Sequence, residues 1–325
     1  MKKQKNWKDA AFLAVILLLV LIMVFSGLQI LGSTVFFDDG EDHRPSKTIT
    51  RDGVDYFPRQ DITVILVMGI DEEGPITDSG SYRNQGEADM VALVVLDKTS
   101  ESYRILCLNR DTMLDMPALG IGGKEAGSFY GQLALSHTYG SGLEDSAENT
   151  RKTVSNFLYG LTIDHYVALN MDAIGLLNDA VGGVTVNVTD DFSAVDPTIP
   201  MGSVTLNRTQ ALSFVRTRKD VGTQLNLSRM ERHEEYLSGL TRALRSKLEE
   251  SATFATDLYQ DLEDCMVTDC SATTLSSLLK RCAHYELAQI LSPEGENKLG
   301  KEYYEFYADE EKLDQLILEL FYAPK

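Results

Sequence analysis

Ile62-Thr63-Val64-Ile65-Leu66-Val67-Met68-Gly69 is a short, apolar, β-branched run, and a run of that length and type reads as a buried strand. Two runs of the same kind follow over residues 90–96 and 103–108. They are joined by Asp97-Lys98-Thr99-Ser100-Glu101-Ser102, a polar stretch suited to a turn. Downstream the period changes. Residues 145–158 are patterned as a helix, 163–169 as a strand, and 172–181 as a short amphipathic helix that Gly182-Gly183 stops. Residues 184–188 alternate as a half-buried strand does. From Arg208 the character is helical through Arg216 and again across 228–248. Residues 273–287 and 309–321 read as further helices, with a strand over 303–307 between them. Strands alternating with helices predict an α/β fold, a three-layer αβα sandwich around a central mixed sheet.

Ahead of the first strand, residues 10–37 carry no charge, and 10–31 are almost wholly apolar. That is enough to cross the roughly 30 Å hydrocarbon core as one N-terminal transmembrane helix. A cleaved signal peptide has a shorter apolar core and a small-residue cleavage site. Four lysines precede the span, and Asp38, Asp39, Glu41 and Asp42 follow it, so the positive-inside rule leaves the first nine residues in the cytosol. The predicted organisation is a cytoplasmic stub (1–9), an anchor (10–32), a juxtamembrane linker (33–60) and one extracellular domain (61–325). That domain has a core over 61–250 and a helical C-terminal part over 251–325.

Beyond residue 9 the chain holds 26 basic against 48 acidic residues. Such a surface repels nucleic acid, whose nonspecific binding depends on Lys and Arg neutralising phosphates. Cys107 lies in an apolar strand-like run, as a core residue does. Cys265, Cys270 and Cys282 fall outside the cell, where one disulfide among them is allowed. There is no P-loop, no GxSxG elbow and no HExxH.

Against this acidic background, Arg216, Arg218, Arg229 and Arg232 lie within seventeen residues. Guanidinium is a planar fork that matches phosphate oxygens in pairs. Asn226, Arg229 and either Arg232 or His233 recur at the spacing of one helix face, while Arg216 and Arg218 belong to the preceding helix end. Three more segments flank strands: Gly69-Ile70-Asp71, Gly86-Glu87-Ala88-Asp89 and Asn109-Arg110-Asp111. If the second and third strands are antiparallel and the first ends beside them, Asp71, Asp89 and Arg110 gather at one edge of the sheet. Paired carboxylates completed by water and phosphate oxygens suit Mg²⁺, and two arginine sites opposite them would hold a pyrophosphate.

Met68-Gly69-Ile70-Asp71, Ala88-Asp89-Met90-Val91, Leu108-Asn109-Arg110-Asp111-Thr112, Asp164-His165-Tyr166-Val167 and Ala180-Val181-Gly182-Gly183-Val184 occur in that order. Together with Gln210-Ala211-Leu212 through Arg232, they make the chain resemble the LytR–CpsA–Psr family of cell-envelope phosphotransferases. The resemblance implies a membrane enzyme of Gram-positive-type bacteria. It would move a glycopolymer (teichoic acid, capsule or another glycan) from a polyprenyl-pyrophosphate carrier onto a peptidoglycan acceptor, releasing polyprenyl phosphate. It further implies that Asp71 and Asp89 hold Mg²⁺ and that Arg110, Arg216, Arg218 and Arg229 clamp the pyrophosphate, with Asn226 and Arg232 beside them. Asp111 would orient or deprotonate the acceptor hydroxyl, and the lipid would lie in an apolar tunnel. The chain departs from the family pattern at Asn226, where an aspartate is usual, at His233 in place of glutamine, at Asn109 in place of proline, and in a longer loop from Asp71 to Asp89. Two other readings fit the same residues: a polyprenyl-pyrophosphate phosphatase, and a non-catalytic attenuator that binds a wall precursor. Nine cytosolic residues are too few for the output domain that the attenuator would need.

Overall fold

The computed structural model describes residues 48–51, 53–120, 124–217, 221, 232, 235–236, 238–240, 242–244, 246–247, 250–251, 253–275, 278, 285–301 and 303–324. The expected stub and anchor (1–32) lie outside them. So do the first part of the expected linker and much of the helix expected over 228–248. Among the described residues, no helix is long and apolar enough to cross a membrane.

Strands β1 (Ile49–Arg51) and β2 (Val54–Pro58) precede β3 (Ile62–Ile70), β4 (Ala88–Asp97) and β5 (Ser102–Leu108). A hairpin of β6 (Met113–Leu119) and β7 (Glu125–Gln132) follows. Helix α1 (Glu144–Phe157), β8 (His165–Asn170), α2 (Asp172–Ala180), β9 (Val184–Val188), β10 (Gly202–Leu206) and α3 (Arg208–Arg216) come next. The C-terminal part holds α4 (Phe254–Leu262), β11 (Met266–Thr268), β12 (Glu286–Leu291), β13 (Gly295–Leu299), β14 (Tyr304–Ala308), α5 (Glu310–Phe321) and β15 (Tyr322–Pro324).

Six strands form the central sheet in the order β11-β8-β3-β4-β5-β12. β3 runs parallel to β8 and antiparallel to β4, which is antiparallel to β5, so the sheet is mixed. Alternation along the strands divides its side chains between two cores. Ile65, Val67, Met90, Ala92 and Val94 face Ile174 and Leu177 of α2, Phe214 of α3 and Leu258 of α4. Val64, Leu66, Met68, Val91 and Leu93 face Val154 of α1 and Ile317 and Leu320 of α5. Leu66 and Leu93 are register partners with no exposed surface. Burying a leucine fully contributes about 1.5–3 kcal/mol.

The helix stops and starts have local causes. Gly182 and Gly183 follow α2 at φ +81° and +96°, a region that side-chain-bearing residues rarely enter. Asn207 opens α3 with a reciprocal capping box to Gln210, and Asp309 caps α5 through the Lys312 amide. The first three sheet strands, α1, α2 and α5 lie within two residues of their expected bounds.

Other expectations change. The helix expected over 273–287 gives way at Glu286 to β12, which lies parallel to β5 as an edge strand. Its residues are mostly exposed, so the sheet's open edge, rather than burial, selects the extended form. Part of the expected linker is also ordered: β1 and β15 both pair with β2. Cys107, Cys265 and Cys270 are buried and none is in a disulfide, and burial pushes the Cys107 thiol up to about 12. Cys282, their other expected partner, lies outside the described residues.

Candidate functional site

The strand directions bring four segment ends to one edge of the sheet. β3 and β8 finish there, β4 begins there and β5 finishes there. Asp71, Asp89, Arg110 and Asp111 are therefore neighbours in the fold, as the conditional reading of the strands required. The loop between β3 and β4 closes onto itself: the Asp71 amide donates to the Glu87 carbonyl at 3.0 Å.

That loop is long but well anchored. Buried Asn84 donates to the carbonyls of His137 (2.8 Å) and Gly140 (3.0 Å), and its Oδ1 accepts the Gly86 amide at 2.8 Å. His137 Nδ1 lies 2.9 Å from the Gly86 carbonyl, an acceptor, so Nδ1 carries the ring proton. Its Nε2 is then a bare lone pair with no partner among the described residues. Burial lowers this imidazole to about 4, because charging it there would remove an ion from water. At Gly86 a Cβ would come within 2.8 Å of Ile70 Cγ2 and 3.0 Å of Glu72 Oε2, so only glycine lets the two ends of the loop approach so closely.

Arg110 follows β5 and is tied down by its backbone, whose carbonyl accepts the Ala134 amide at 3.0 Å. Its guanidinium meets Asp89 and Glu87, the latter at 2.9 Å, with Asp111 Oδ1 3.7 Å from Nε. Three carboxylates around one guanidinium leave the site acidic. Asp111 is itself built in: its amide donates to Asn109 Oδ1 (2.9 Å), and Gln132 Nε2 donates to its Oδ1 (2.9 Å) and to the Tyr304 carbonyl (2.8 Å). Burial raises the Asp111 carboxyl above its ordinary value, Arg110 opposes the shift and Glu87 adds to it. A carboxylate so raised is a better proton acceptor than an exposed one.

Arg216, the last residue of α3, pairs with Glu73 on the loop that begins at Asp71. Gly74 of the same loop donates to Asp172 Oδ2 (2.7 Å) and accepts Asn170 Nδ2 (2.6 Å), which joins it to β8 and α2. Two arginines from distant parts of the chain thus bond to acids of one loop system. Arg218, Arg229 and Asn226 lie outside the described residues, as does His233.

Arg232 corrects an expectation. It was grouped with the pyrophosphate arginines, yet it is 3% exposed. It donates to the carbonyls of Phe214 (3.1 Å) and Thr217 (2.6 Å), pairs with Asp190 at 2.6 Å and covers the Phe192 ring at 5.4 Å. Its fork satisfies the carbonyls left open at the end of α3, so it fastens the helix that carries Arg216 rather than presenting a free face.

Glu87, Glu73 and Gln132 are site residues that the sequence reading passed over. Glu87 was within reach, since it lies two residues before Asp89 in the segment that leads into β4. Glu73 and Gln132 had no such signal, because each meets its partner only through tertiary packing.

The site can be tested for the fit of Mg²⁺ by its donors. Asp71 and Asp89 offer two hard oxygen ligands, and Mg²⁺ commonly takes one or two carboxylates and keeps waters and phosphate oxygens for the rest. Their donor type suits the ion, with Asp89 Oδ1 paired with Arg110 in this structure.

The profile of the LytR_cpsA_psr family matches residues 37–321. A polyisoprenyl-teichoic acid–peptidoglycan teichoic acid transferase TagU of Oceanobacillus iheyensis is 26% identical over 293 residues, which cover 87% of this chain and 83% of the relative. The TagU of Bacillus subtilis is 26% identical over 234 residues, covering 69% of each chain. Among solved structures, B. subtilis TagV superposes with a TM-score of 0.55 at 24% identity, covering 81% of this chain and 96% of that one. That likeness concerns the fold.

Proposed function

The chain belongs to the LytR_cpsA_psr family, and we propose that it transfers a teichoic-acid-class glycopolymer from a polyprenyl-pyrophosphate carrier to peptidoglycan. The relatives named as teichoic acid transferases support the substrate class. The observation that carries the reading is Arg110, which sits at the carboxyl end of β5 among Glu87, Asp89 and Asp111.

In this reading Arg110 and Arg216 bind the pyrophosphate, joined by Arg218 and Arg229 as the family resemblance implies. Mg²⁺ held by Asp71 and Asp89 would supply charge neutralisation at the phosphate oxygens. A peptidoglycan hydroxyl attacks the phosphorus nearest the glycan, forming a phosphodiester. The bridging P–O bond breaks and polyprenyl phosphate leaves. Asp111, raised by burial and oriented by Gln132, takes the hydroxyl proton. Charge grows on the phosphate oxygens during this step, and positioned guanidinium groups stabilise it. Asn226 cannot act as the base that an aspartate would offer at that position, and the resemblance implies Asp111 in that role. The lipid would occupy an apolar tunnel in the domain.

The finer architecture follows the same reading: a three-layer αβα catalytic domain outside the cell, carried by the anchor over residues 10–32 with residues 1–9 in the cytosol. The test is transfer of labelled polymer from a lipid carrier to peptidoglycan by the full chain in detergent, with and without Mg²⁺. Release of polymer without attachment, equal with or without acceptor, would instead identify a phosphatase.

A further inference from the structure

Three groups with the chemistry of zinc ligands meet at the other end of the sheet. His165 opens β8, and Asp269 and Cys270 follow β11, its antiparallel neighbour. One ligand atom from each lies within 4.8 Å of the others, with His165 Nδ1 3.6 Å from Asp269 Oδ1. A tetrahedral zinc site has bonds of about 2.0–2.3 Å, which sets its ligand atoms roughly 3.3–3.6 Å apart. The His–Asp pair, at 3.6 Å, already matches that spacing, and Cys270 lies within the same 4.8 Å group.

The surroundings hold these donors in place. The Tyr166 amide donates to Asp269 Oδ1 at 2.9 Å, orienting the carboxylate. Thr268 Oγ1 donates to the Tyr166 carbonyl (2.6 Å) and accepts the Cys270 amide (3.1 Å), so the backbone before the thiol is locked to β8. Cys270 is buried while Asp269 is exposed, leaving an open side for a water as fourth ligand. Hydrogen bonds to Asp269 and Cys270 hold the His165 imidazole up to about 10, so an ion has to displace its proton; the imidazole, thiolate and carboxylate then balance a divalent charge. One opposing feature is Arg151, whose Nη1 lies 3.4 Å from Asp269 Oδ2. It also pairs with Glu148 at 2.6 Å, so it keeps a partner when a metal takes the carboxylate.

We propose that His165, Asp269 and Cys270 form a binding site for a zinc-class divalent ion, separate from the phosphate-handling end of the sheet. Thiolate and imidazole favour zinc over Mg²⁺, so the two ends sort different metals. The ion ties β8 to the segment after β11, at the edge of the sheet, and it stabilises the fold by mass action.

The experiment uses the full chain in detergent, stripped with chelator and titrated with Co²⁺ and then Zn²⁺. The expected result is the visible spectrum of tetrahedral cobalt, a thiolate-to-cobalt charge-transfer band, and its loss when zinc is added. Cys270→Ser should abolish that band and weaken zinc binding by about tenfold or more, while Asp89→Asn leaves both unchanged. Because the serine variant can lose structure, zinc protection of Cys270 from alkylation is also read in the unmodified chain by mass spectrometry. A charge-transfer band that survives in a folded Cys270→Ser chain, or equal alkylation of Cys270 with and without zinc, overturns the site.

Discussion

Arg59 and Arg110 stand at opposite ends of the same three strands, and both are surrounded by acids. Arg59 is 14% exposed and donates to both oxygens of Asp61 (3.1 and 2.6 Å) and to Asp97 (2.7 Å). The remaining acceptors are taken: Thr99 donates to Asp61, and the amides of Thr99 and Ser100 donate to Asp97. Its own amide donates to the Phe321 carbonyl at the end of α5. That network is closed and joins the start of β3 to the end of β4. Arg110 is 28% exposed, and its acids exceed what one guanidinium can neutralise, with Asp71, Glu72 and Glu73 on the adjoining loop. Ion pairing alone therefore does not mark a functional arginine. What separates the two is closure: the acceptors around Arg59 are all taken, while Arg110 stands more exposed beside loops that carry further acids, the end to which the proposed reading assigns the cation and the phosphates.

The sharpest way to break this contrast is Arg110→Ala. Loss of a group that stabilises charge in the transition state costs about 10²–10³ in rate, and a partly exposed side chain contributes little to the fold. Transfer should collapse while the melting temperature stays nearly constant. A variant that retains normal turnover would place Arg110 with Arg59 as architecture.

His137 tests how firmly the loop at the functional end is set. Its folded value of about 4 lies below the ordinary 6.5, so the imidazole is neutral in the fold and contributes its full stability above pH 6.5. As pH falls towards 4, the unfolded chain takes up a proton that the folded chain refuses, and stability drops by up to about 1.4 kcal/mol per pH unit. Denaturant titrations between pH 7.5 and 4.5 should give a flatter dependence for His137→Gln than for the parent. Identical slopes would remove His137 from the account.

Arg59→Ala should do the opposite of Arg110→Ala. Stability falls by about 1.5–3 kcal/mol, the range for hydrogen bonds to charged groups, and specific activity of the folded fraction is retained. A drop in turnover of the folded fraction would show that the closed end also serves the reaction. The smallest effect concerns Asp61, which Arg59 holds down to about 2. Its contribution is complete above the ordinary 3.8 and is lost as pH falls through about 2, so Asp61→Asn is less stable than the parent above 3.8 and the two converge below about 2 in a denaturant titration.

Much of this was legible in the chain. The central strands are continuous apolar runs, and Gly182-Gly183 and Asp309 are local signals that act through backbone geometry. The placement of Asp71, Asp89 and Arg110 followed once the hairpin of β4 and β5 fixed two strand directions. Strand β12 was hidden because it is exposed, and its partner β5 lies almost two hundred residues earlier. Arg232 was misread for a related reason. Helical spacing places it beside Arg229, but burial under Phe192 and the open carbonyls of α3 decide what it does. Periodicity reports which residues share a face, not whether that face meets solvent or another helix.

The most direct test is the position of the phosphates when the full chain is crystallised with a polyprenyl-pyrophosphate analogue and Mg²⁺. The account predicts both phosphates at the carboxyl ends of β3 and β5, within hydrogen-bond reach of Arg110 and Arg216 and with the ion against Asp71 and Asp89. Phosphates bound elsewhere, with Arg110 still engaged only by Glu87, Asp89 and Asp111, would contradict it.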